Sequence, residues 1–73
     1  MTTNYHIEYG GFVKNLNTGE YQCLFVTRFS KLLARERAKE RAAFDNSMFP
    51  DTFDIKDIIV RSRMCEERRS GWE

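Results

Sequence analysis

The sequence predicts an α+β fold: one small ββαβ domain in which a three-stranded, mostly antiparallel sheet of strand order 2-1-3 carries one helix packed on one face. Three observations lead there. Residues 31–49, KLLARERAKERAAFDNSMF, form the only long segment of helical composition, and no glycine or proline interrupts them. Apolar, strand-like runs at residues 5–13 and 21–27 precede that segment, and another at 55–65 follows it. With 73 residues there is room for a single core and no second domain. Residues 1–65 are therefore assigned to the domain and 66–73, EERRSGWE, to a charged C-terminal tail.

The first strand is marked by Tyr5, Ile7 and Tyr9 alternating with His6 and Glu8, the period of a half-buried strand. Gly10 and Gly11 interrupt the alternation before Phe12 and Val13 resume it. Two glycines there predict either a bulge or the close approach of another group to the backbone, a ligand being the functional version of the second. Residues 15–19, NLNTG, are a turn cluster that makes the first two strands an antiparallel hairpin, with Gly19 at the left-handed position. Ser30 is a suitable N-cap, and the helix is expected to fray near Asn46 or Ser47, before Pro50. In the third strand the β-branched run Ile58, Ile59, Val60 favours extended backbone. Trp72 is the one large apolar residue in the tail, and docking of its ring onto the domain is expected.

A right-handed crossover through the helix can carry strand three to the far side of strand one, which makes strand one central. Tyr5, Ile7 and Tyr9 are then expected in the middle of the core. Cys23 and Cys65 fall on opposite edges, separated by ~10 Å from strand spacing alone, too far for a disulfide. Ala34, Ala38 and Ala42 recur every four residues, so that stripe can approach the sheet closely while Leu33, Phe44 and Met48 fill one flank. The helix charges lie in lines of one sign, Glu36 with Glu40 and Arg37 with Arg41, which is the pattern of a solvated face with weak i,i+3 attractions.

One helix covers one face of a sheet, and the other face of this sheet is not wholly polar. Strict alternation groups Tyr21, Cys23 and Phe25 on one side of strand two and Leu24 and Val26 on the other. Strand three contributes Ile59 flanked by Arg61 and Arg63 to the open side. Tyr21, Phe25, Ile59, Arg61 and Arg63 are thus the candidate partner-binding residues, an apolar and aromatic patch rimmed by arginine. Its occupant is another protein, or a second copy of the chain making a homodimer.

Several chemistries are discounted. Twelve basic and 11 acidic side chains leave a net charge of +1, so no overall field draws the chain to nucleic acid or anionic lipid. The apolar runs are far short of a bilayer span, and the polar start lacks the apolar core of a leader, from which a soluble, cytoplasmic protein is expected. His6 is the sole histidine, and with Cys23 and Cys65 it shows no ligand-pair spacing along the chain, so no metal site and no cofactor are assigned. A buried strand cysteine is ordinarily an inert core residue. Asp51, Asp54 and Asp57 lack the spacing of a calcium loop, and no glycine-rich phosphate loop precedes the helix.

What remains is a small non-enzymatic protein-binding module that occludes or bridges a partner, as accessory or phage-type inhibitor proteins of this size do. That comparison rests on size and missing chemistry. The alternative is a small nucleic-acid-binding protein in which Arg61 and Arg63 contact phosphates and Tyr21 or Phe25 stacks on bases. A nuclease-like toxin built on His6 and neighbouring arginines is a third reading, which the lone histidine weakens.

Overall fold

A computed structural model describes residues 4–66 of the chain. Its elements are β1 (Tyr5–Asn15), β2 (Tyr21–Thr27), α1 (Lys31–Met48) and β3 (Phe53–Glu66). The strands form one sheet of order β2-β1-β3, with β1 antiparallel to both neighbours. The helix packs across one face. Both the ββαβ order and the central position of β1 follow the sequence expectation. Trp72 and the rest of the tail lie outside the described residues, except Glu66, which ends β3.

The turn between β1 and β2 is held by Asn15, whose Oδ1 accepts from the backbone N–H of Asn17 at 2.8 Å, and by Gly19 at φ 77°. Ser30 caps the helix, its Oγ accepting from Leu33 N–H at 3.0 Å. At the other end the helix runs through Met48 instead of fraying at Asn46. Asn46 has a second duty there: its side-chain amide donates to the Phe53 carbonyl at 2.8 Å and its Oδ1 accepts from Phe53 N–H at 2.9 Å. That clasp satisfies the backbone of the first β3 residue, which is buried.

Ala34, Ala38 and Ala42 are wholly buried, which is the expected stripe. The stripe works because Gly11 lies beneath it. A Cβ on Gly11 would fall 2.6 Å from Ala38 Cβ and closer still to the Ala34 carbonyl oxygen. The glycine therefore serves the close approach of the helix, not of a ligand. The register shift sits beside it, between Gly11 and Phe12 in the pairing with β2, but the extra residue belongs to β2: Gly11 opposes Phe25, Phe12 opposes Cys23, and Leu24 is left between.

This bulge corrects the alternation expected for β2. Leu24 and Phe25 both pack against the core of Val13, Ala38, Ala42, Phe53 and Ile58, because one inserted residue turns two neighbours to the same side. Two other expectations fail. Phe44 and Met48 are 59% and 55% exposed rather than filling a flank. Tyr5 and Ile7 share the face of Gly11 and Val13 but are exposed, because the 18-residue helix is only ~27 Å long at 1.5 Å per residue, whereas the 14-residue β3 reaches ~46 Å at 3.3 Å per residue. Since β2 pairs with β1 only from Tyr9 onward, residues 5–8 pair with 63–66 as a two-stranded ribbon among the described residues.

Candidate binding face and a buried His–Glu–Cys cluster

The sheet face turned away from the helix carries Phe12, with Cys23 opposite on β2 and Ile59 opposite on β3. Arg61 lies two residues beyond Ile59, opposite Gly10, and its guanidinium carbon sits 5.5 Å from the centroid of the Phe12 ring. Such a contact contributes about 0.5–1 kcal/mol at an exposed site, enough to favour this placement of the long side chain over others. Val26, opposite Gly10 on β2, completes the apolar strip. Tyr21 marks its far end: the phenol donates to Asp57 Oδ1 at 2.7 Å, reaching from β2 across β1 to β3. That bond, together with lesser desolvation and the nearby charges of Asp57 and Asp54, pushes the Tyr21 phenol above its ordinary value.

Of the five residues expected to bind a partner, Tyr21, Ile59, Arg61 and Arg63 lie on this open face. Phe25 does not. The β2 bulge places it in the core with Leu24, and the aromatic residue in its stead is Phe12, which strict alternation along β1 assigns to the same side as His6 and Glu8. Cys23 is half-buried, and that burial pushes its thiol up from the usual value. It and Cys65 are both free thiols. Cys23 opposes Phe12 and Cys65 opposes His6, so their rungs are six positions apart along β1, ~20 Å of strand.

The ribbon end of the same face holds a group that spacing along the chain did not reveal. His6 and Cys65 are direct cross-strand partners, and Glu8 follows His6 by two and shares its side. His6 Nε2 and Glu8 Oε2 are 2.7 Å apart, and the Cys65 thiol donates to Glu8 Oε1 at 3.6 Å. All three ligand atoms lie within 4.8 Å of one another. Their side chains are shielded: Glu8 is 6% exposed and Cys65 5%. The carboxylate bridges the thiol and the imidazole, so the sulfur is not in line with a histidine base as a thiol nucleophile requires. A sequence signal did exist in the His-x-Glu of β1, but its third member is 57 positions away and only the β1–β3 register brings it in.

No helix among the described residues is long and apolar enough to cross a membrane. Compared with protein-family models, with curated proteins and with solved structures, the chain finds no match in any of the three.

Proposed function

We propose that this protein is a small non-enzymatic binding module that occludes or bridges a partner protein through its open sheet face, in the manner of accessory or inhibitor proteins. The carrying observation is the Arg61–Phe12 stack beside Ile59 and Val26. A guanidinium over an aromatic ring, within an apolar strip with charge at its ends, has the make-up of an interface anchor. Arg63, exposed and two residues further along β3, extends that charge toward the ribbon.

The same geometry weighs against nucleic acid. Phe12 already has a cation beside its ring, Tyr21 is tied to Asp57 with Asp54 nearby, and Phe25 is in the core, so the aromatic residues are poorly placed to stack on bases beside phosphate. Two free thiols agree with a reducing compartment such as the cytoplasm.

A photo-crosslinking residue at Ile59, compared with one at Arg37 on the exposed helix face, tests the reading in cells. Protein adducts from position 59 that survive nuclease and are lost with Arg61→Ser are expected. Adducts from position 37 alone, or loss of the position-59 adducts on nuclease treatment, would contradict it.

A further inference from the structure

We propose that His6, Glu8 and Cys65 form a binding site for a divalent metal ion of the zinc class, supplying one nitrogen, one oxygen and one sulfur ligand. The donor set is the first reason. Imidazole, carboxylate and thiolate are the three side chains that bind Zn²⁺, and here one of each converges within 4.8 Å. Charge is the second. A carboxylate and a thiolate together cancel a divalent ion, which suits a position where Glu8 and Cys65 are nearly excluded from water.

The distances set what must move. Metal–ligand bonds of ~2.0–2.3 Å in tetrahedral array place ligand atoms ~3.3–3.6 Å apart. Cys65 Sγ to Glu8 Oε1, at 3.6 Å, already has that separation. With Oε1 as the ligating oxygen, His6 Nε2 gives up its 2.7 Å hydrogen bond to the other carboxylate oxygen, Oε2, to reach the ion. On binding, the thiol releases its proton to solvent, and the proton between Nε2 and Oε2 passes to Nδ1 or to solvent, which leaves the sulfur and Nε2 free to ligate.

Position in the fold gives the site a purpose. Residues 5–8 and 63–66 pair as a two-stranded ribbon, an arrangement of marginal stability by itself. A metal held by His6 and Glu8 of β1 and by Cys65 of β3 links the two strands where neither β2 nor α1 supports them. Small domains commonly use such a staple.

Cobalt titration of the full, reduced chain tests the site directly. One equivalent of Co²⁺ is expected to give the intense visible bands of a tetrahedral ion and a thiolate-to-cobalt charge-transfer band, both removed by one equivalent of Zn²⁺. Cys23→Ser should retain the charge-transfer band, whereas Cys65→Ser should lose it. Because Cys65 is buried and its variant could misfold, a second readout uses the unmodified protein: Zn²⁺ should protect Cys65, but not Cys23, from alkylation, as mapped by peptide mass. A cobalt spectrum without the charge-transfer band, its survival in Cys65→Ser, or equal alkylation of Cys65 with and without Zn²⁺ would overturn the assignment.

Discussion

The two halves of the β1–β3 ladder are built from similar residues and held in different ways. From Tyr9 onward the ladder is flanked by β2, backed by α1 and filled by Val13, Ile58 and Phe53 against the alanine stripe. At residues 5–8 and 63–66 it has neither, and on the face that α1 covers elsewhere Tyr5, Ile7 and Met64 are 56%, 45% and 66% exposed, while Glu8 and Cys65 on the other face are buried. Apolar alternation continues through both halves. What differs is reach: the helix ends before the strands do. The lesson is that a period-two pattern identifies a strand and its faces, but burial depends on whether a second layer extends that far.

The largest expected effect lies in the helix-backed half. Gly11→Ala would drive a methyl group into the Ala34 carbonyl and the Ala38 side chain, neither of which can rotate away. A cost at or above the usual ~1–3 kcal/mol of overpacking is expected, comparable with the ~3–5 kcal/mol that so small a core supplies. Circular dichroism should find much of this variant unfolded. A native melting curve would show that helix and sheet stand further apart than described.

Ala38→Leu attacks the same contact from the helix side, where a rotamer change or slight tilt can relieve part of the clash. A loss of about 1–3 kcal/mol in chemical denaturation is expected. The ribbon should respond far less. Ile7→Ser and Met64→Ser, made in metal-free protein, are expected to shift stability by under about 0.5 kcal/mol each. If either approaches the cost of Ala38→Leu, the ribbon is packed as tightly as the core and the contrast between the halves is lost.

Tyr21→Phe gives the smallest change and sharpens the picture of the open face. The protonated phenol donates to Asp57, so its raised titration point contributes stability that is complete below the unfolded value of about 10 and is lost as pH climbs through the higher folded value. Tyrosinate absorbance of the folded protein should show a late-titrating tyrosine that disappears in the variant. Its persistence after substitution would place the Asp57 bond elsewhere.

Much of this architecture was legible in the sequence. The helix start, the Ser30 cap, the Gly19 turn, the alanine stripe and the strand order all rest on local chemistry or on the handedness of the crossover, which residue patterns express directly. The β2 bulge was not legible, because Leu24 and Phe25 are both apolar and either parity satisfies the pattern. That ambiguity exchanged Phe25 for Phe12 at the candidate site. Arg61 and Ile59 were placed correctly since β3 alternates without a shift from Ile58 to Glu66. The His6–Glu8–Cys65 cluster was missed for a third reason: it depends on the register of two strands more than fifty residues apart, and no local spacing encodes that register.

The division of the molecule into a helix-backed core and a thinly supported ribbon is tested most directly by amide hydrogen exchange along β1 in metal-free protein. Residues 10–13 are expected to exchange only through global unfolding, and residues 5–8 faster, through local opening of the ribbon. Addition of Zn²⁺ should bring residues 5–8 toward the protection of 10–13. Uniform protection along β1 without metal would contradict the account, because the ribbon would then unfold only with the core.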